Sequence, residues 1–110
     1  MNIDIQDSND VKVIVFDGSL DTNTSAQAES TLGDVVEQGA DKVLINFTAL
    51  DFISSAGLRV LLVTAKKLGD RGGSLRLCGL NESVSDIFEI SGFDTLLKVF
   101  ESEQVALAGF

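Results

Sequence analysis

Ile3 and Ile5 stand between polar neighbours over Met1–Gln6, and this period of two predicts an edge strand. Asp7-Ser8-Asn9-Asp10 is a turn cluster. Val11, Val13 and Val15 then alternate with Lys12, Ile14 and Phe16, which predicts a second strand, apolar on both faces towards its end and central in a sheet. The short spacing makes the pair a hairpin. Gly18 to Thr22 ends that strand and opens a helix, with Asp21, Thr22 and Thr24 as candidate N-caps. Ala28, Leu32, Val35 and Val36 fall on one helical face, and Gly39 suits the position just past the helix end. Val43–Phe47 is apolar except for Asn46 and predicts a buried strand ending near Phe47, followed by a short loop.

A second helix is predicted over Ser54–Gly69, with Leu58, Leu61, Leu62, Ala65 and Leu68 on one stripe. Gly72-Gly73 turns the chain into a strand marked by Leu75 and Leu77. Asn81 caps a short helix carrying Val84, Ile87 and Phe88, and Gly92 stops it. Leu96–Phe100 reads as a last strand and Glu103–Ala108 as a final helical turn or two. After the hairpin, strands and helices alternate, which implies parallel pairing through right-handed crossovers. The expected product is one α/β domain over residues 1–110, with a mixed, mostly parallel sheet of four to five strands and about four helices packed mainly on one side.

Composition narrows the chemistry. Apolar residues make up 45% of the 110, enough for one core and too many for a disordered chain. There is no His, which removes the commonest general base and metal ligand, and a single Cys excludes an intrachain disulfide and a Cys-cluster metal site. No metal or cofactor is therefore expected. The net charge of −9 argues against nucleic acid, which requires a positive footprint. Met1–Asp10 holds three Asp and no base, so no signal peptide is expected, and no apolar run approaches a membrane span of roughly 18 residues. The lone thiol then points to the cytoplasm. No Gly-x-Ser-x-Gly elbow or phosphate-binding P-loop is present, and paired carboxylates are not gathered by any chain feature, so an enzyme is not expected.

One segment stands out: Phe52-Ile53-Ser54-Ser55-Ala56-Gly57-Leu58 carries no charge in a strongly acidic chain, and places two serines where a helix starts. Helix N-termini present unpaired N–H groups and a partial positive charge. One serine suffices as a cap, so the other is available for modification. A phosphate there adds about −1.5 to −2 charges.

With Arg59 added, this segment resembles the signature loop of STAS domains, and in particular of bacterial anti-sigma factor antagonists: an aromatic, an aliphatic, Asp or Ser, a phosphorylatable Ser, a small residue, then Gly-Leu. Gly18-Ser19-Leu20-Asp21 followed by Thr24 is similar to the family's segment after the second strand. Gly72-Gly73-Ser74-Leu75 resembles its turn into the fourth strand, and Ile87 to Phe93 its third-helix ending. The resemblance spans nearly the whole chain. It implies that Ser55 is the phosphoacceptor, with Ser54, standing where many members have Asp, as the less favoured one. It implies a partner-facing surface of Asp21, Thr24, Ser54, Ser55, Ala56, Gly57 and Arg59, with Gly57 letting the partner approach closely.

The implied function is partner switching. The unphosphorylated form binds an anti-sigma factor that is also a serine kinase of ATP-binding kinase fold, and so frees a sigma factor for transcription. Phosphorylation of Ser55 ends the binding, and a serine phosphatase of the metal-dependent class restores it. The free domain is expected to be a monomer. The alternative is a STAS interaction or scaffold module of another phospho-signalling pathway, in a sensory complex or in secretion or biofilm control, with no sigma target. Plainer readings stand beside these: the two serines as caps, Asp21 as a cap of the first helix, Arg59 as a solvated residue, Cys78 as a small buried hydrophobe, and Glu101 and Glu103 as solubilising charges.

Overall fold

The computed structural model describes residues 1–108 and 110. Strands β1 (Asn2–Ser8) and β2 (Val11–Leu20) form the antiparallel hairpin, with Ile3 opposite Phe16 and Ile5 opposite Ile14. Asn9 makes the turn at φ 56°, a left-handed conformation that Asn tolerates better than most residues. Three crossovers follow. Helix α1 (Ser25–Glu37) leads to β3 (Lys42–Ile53), α2 (Ser55–Asp70) to β4 (Ser74–Cys78), and α3 (Glu82–Ser91) with a 3-10 turn at Phe93–Thr95 to β5 (Lys98–Phe100). Helix α4 (Glu103–Leu107) follows β5. The sheet order is β1-β2-β3-β4-β5, and every pair after the hairpin is parallel.

The period-2 pattern sorts the two faces. Ile14, Phe16, Val43, Ile45, Phe47, Leu75 and Leu77 point to α1, α2 and α3, where they meet Leu32, Leu61, Leu68 and Phe88. Phe16 and Phe47 lie at the centre, their ring centroids 5.8 Å apart. Val11, Val13, Leu44 and Cys78 point the other way and are covered by Ala106 of α4, with Phe100, Leu107 and Phe110 at the margin. Three helices on one face and one short helix on the other match the expected layering.

Arg76 holds that last helix down. Its guanidinium donates to the carbonyls of Ala106 (2.7 Å) and Ala108 (3.1 Å) and lies over the rings of Phe100 and Phe110. Glu103 does more than solubilise: its carboxylate accepts from Asn46 Nδ2 at 3.2 Å. Cys78 is fully buried, and burial, followed by the Glu103 charge, pushes its thiol up to about 11. It is the inert core residue expected.

The structure departs from the sequence pattern at several places. Strand β3 does not end near Phe47 but runs to Ile53, paired with β2 as far as Leu20. The pairing slips twice, between Val15 and Asp17 and between Gly18 and Ser19, with one extra residue on β3 each time. Such bulges break the alternation from which a strand is read. On α2 the buried stripe includes Val60 and Thr64, while Leu62 is half-buried. Thr64 is tolerated there because its hydroxyl donates to the Val60 carbonyl at 2.8 Å. The last strand begins at Lys98, two residues later than the pattern suggests, because Phe93–Thr95 winds into the 3-10 turn.

Candidate functional site

The ends of β2 and β3 deliver two helix starts to the same edge of the domain. The Ser54 amide donates to the Leu20 carbonyl at 2.8 Å, so the residue before α2 is tied to the residue before Asp21. Asn81, which caps α3 by accepting from Val84 N at 2.8 Å, also donates through Nδ2 to the Leu50 carbonyl at 3.0 Å. Three connections are thereby anchored to one another.

The two serines take different roles. Ser54 is the N-cap of α2, in extended conformation, with Oγ accepting from the Gly57 amide at 3.2 Å. Ser55 is the first helical residue; it is exposed, and its hydroxyl has no partner among the described residues. Ser54→Ala is expected to cost about 1 kcal/mol of stability, the usual loss for a serine cap. Thermal unfolding should then show a midpoint lower by about 4–8 °C, with Ser55 still available for modification.

Asp21 and Thr24 are half-buried and bonded mainly to each other. Asp21 Oδ1 accepts from the amides of Asn23 (2.9 Å) and Thr24 (3.0 Å). Thr24 Oγ1 accepts from Asp21 N at 2.9 Å and donates to the Ser19 carbonyl at 2.8 Å. Thr24 occupies the N-cap position of α1, yet its side chain bonds no helix amide. The pair shapes the β2–α1 turn, and Asp21 is a cap of that turn as much as a surface group.

Gly57 requires a correction. It is expected to let a partner come close, but it is buried and faces inward. A Cβ there would lie 2.7 Å from Leu20 Cγ, 3.0 Å from Ile53 Cγ1 and 3.0 Å from the Leu20 carbonyl oxygen. The residue lacks a side chain so that α2 can start close against the end of β2. Ala56 is half-buried beside it.

Arg59 lies one turn beyond Ser55, exposed, with no hydrogen bond or ion pair to another described residue. Phe52 lies near the end of β3, two residues before Ser54. It is 46% exposed and pairs with Ser19 across the second bulge, a placement that alternation alone does not reveal. The assembled surface is a helix start with one exposed hydroxyl and a cation one turn away. Among the described residues no cluster of His, Cys, Asp or Glu is arranged to hold a metal, and no helix is long and apolar enough to cross a membrane.

Comparison with known proteins bears on this arrangement. The family model described as STAS domain matches residues 2–106. BtrV of Bordetella bronchiseptica, by name an anti-sigma factor antagonist, is 39% identical over 98 residues, which are 89% of this chain and 84% of BtrV. The crystal structure of an anti-sigma factor antagonist from Mycobacterium paratuberculosis superposes with a TM-score of 0.90 at 24% identity, covering 96% of this chain and 90% of that one. The Bacillus cell fate determinant SpoIIAA in its phosphorylated form gives a TM-score of 0.72 at 22% identity, with 94% and 96% covered. At these identities the two solved structures speak for the fold.

Proposed function

The chain belongs to the STAS domain family, and on that premise we propose that it is an anti-sigma factor antagonist whose binding is switched off by phosphorylation of Ser55. The observation that carries the reading is the division of labour at the start of α2: Ser54 is engaged as the cap while the adjacent Ser55 hydroxyl is exposed and unbonded. A phosphate on Ser55 leaves the cap intact and sits at the positive end of the helix. Ser54, half-buried and with Oγ already bonded to the Gly57 amide, is less open to a kinase.

In this reading the unmodified surface around Ser54, Ser55, Ala56 and Arg59, shaped from below by Asp21 and Thr24, docks on an anti-sigma factor that is a serine kinase of ATP-binding fold. Docking releases the sigma factor. The kinase places a phosphate on Ser55, and a metal-dependent serine phosphatase removes it. The protein itself is not an enzyme, acts in the cytoplasm and is a monomer when free. Gly57 contributes by seating the helix, not by touching the partner.

The test is to pull down the serine kinase that binds the protein, incubate the purified pair with ATP, and map the product by mass spectrometry. One added phosphate of about 80 Da on Ser55, absent in Ser55→Ala, is the expected result. Modification at Ser54 would overturn the assignment. A kinase that modifies Ser55 but binds no sigma factor would place the domain in another signalling pathway.

A further inference from the structure

Beside the phosphoacceptor, α1 and α2 diverge to leave a groove of about 330 Å³. Its floor and walls are Leu32, Gly33 and Val36 of α1 and Ala56, Val60 and Val63 of α2. Glu29 stands on the α1 rim, with Arg59 and Lys67 on the α2 rim. The groove starts at Ala56, the residue after Ser55, so it continues directly from the proposed docking surface.

Gly33 lines it with no side chain. A Cβ at Gly33 would have no atom within 4 Å, so neither a close approach nor an unusual backbone requires glycine there. A glycine inside a helix costs about 1 kcal/mol against alanine. A larger side chain can therefore be added at this position without a clash. Val63, at 43% exposure, leaves that wall open to the outside.

Building on the proposed function, we propose that this groove receives an apolar side chain of the anti-sigma partner while Arg59 holds a partner carboxylate. Two features select that occupant. The groove is continuous with the switch site, and its α2 rim is basic in a chain of net charge −9. The arrangement also explains how one phosphate breaks the interface. Ser55 and Arg59 are four residues apart on one helix, neighbours on its surface. A phosphoserine competes for the guanidinium through a charge-assisted hydrogen bond and repels the partner's carboxylate.

The test measures, by titration calorimetry, binding of the anti-sigma kinase captured with the protein by pull-down. Gly33→Leu fills the groove from a position with free space and leaves Ser55 untouched; Val63→Asn makes its wall polar. Both are expected to weaken binding about tenfold or more, with an unfolding midpoint for Gly33→Leu no lower than that of the parent. Arg59→Ala is expected to weaken binding and to reduce its salt dependence. Ser55→Asp is the control. Parent-like binding by both groove variants, with binding lost in Ser55→Asp, overturns the groove and leaves the switch standing. Equal binding by the parent and Ser55→Asp overturns the switch and the groove with it. Sedimentation that shows a parent dimer dissociated by Gly33→Leu assigns the groove to a second copy and overturns the proposal.

Discussion

Ser55→Asp is expected to abolish binding to the anti-sigma kinase, while Ser55→Ala binds as the parent does and accepts no phosphate. The two variants separate charge from shape. Ser55 is the first residue of α2, and a carboxylate in the first helical turn favours the helix by about 0.3–1 kcal/mol. The Asp variant should therefore fold at least as well as the parent, and loss of binding would not be loss of structure. Residues 52–58 carry no charge, so a partner fitted to the unmodified surface has no counter-ion of its own for an anion added there. Desolvating an unpaired charge costs several kcal/mol, so affinity should fall on the order of a hundredfold or more. A phosphate, with nearly twice the charge of Asp, acts more strongly. Calorimetric titration of both variants against the purified kinase checks this, and equal affinities would remove Ser55 from the switch.

Gly57→Ala is expected to destabilise the whole domain, although alanine is the better helix former. Its Cβ would meet the middle of the Leu20 side chain and the Leu20 backbone, neither of which can swing aside as a flexible tip would. Leu20 and Ile53 are both fully enclosed, and the Leu20 carbonyl already accepts from Ser54. Forcing a methyl into such packing costs about 1–3 kcal/mol, of which helix propensity returns at most about 1. Gly57→Val, larger and β-branched, should cost more than Gly57→Ala. Urea unfolding should show a lower midpoint with an unchanged slope. Because relief of the clash moves α2 away from β2, the variant should also bind the kinase less well at temperatures where it remains folded. Parent-like stability for Gly57→Ala would show that the helix start is not seated as tightly as the distances indicate.

Much of this structure is written in local patterns. Ala28, Leu32, Val35 and Val36 mark α1 by their spacing, and all four are buried. Asn81 and Gly92 bound α3 as their chemistry predicts, the first by accepting from Val84 N and the second by adopting φ 78°. Such signals survive because they depend on residues within one turn of each other. The signals that failed depend on distant residues. The run Leu50–Ile53 looks like a loop because two bulges in its pairing with β2 disturb the alternation. Gly57 looks like an opening for a partner because its neighbours Leu20 and Ile53 come from elsewhere in the chain. Glu103 looks like a solubilising charge until Asn46, 57 residues away, is found beside it.

By itself the sequence determined the order of elements, the two-faced sheet and the uncharged run with two serines at a helix start. It also excluded histidine-based chemistry and an intrachain disulfide. Those properties follow from periodicity, capping chemistry and composition, each readable without knowing what lies across the fold. Only the tertiary structure decided which serine is engaged and which is exposed, that Asp21 and Thr24 are bonded to each other, that Gly57 faces the core, and that α1 and α2 enclose a groove beside Ser55. The seating of Gly57 against Leu20 and Ile53 depends on where β2 and β3 end relative to one another. That relation is set by register and packing between segments more than thirty residues apart, and no local pattern carries it.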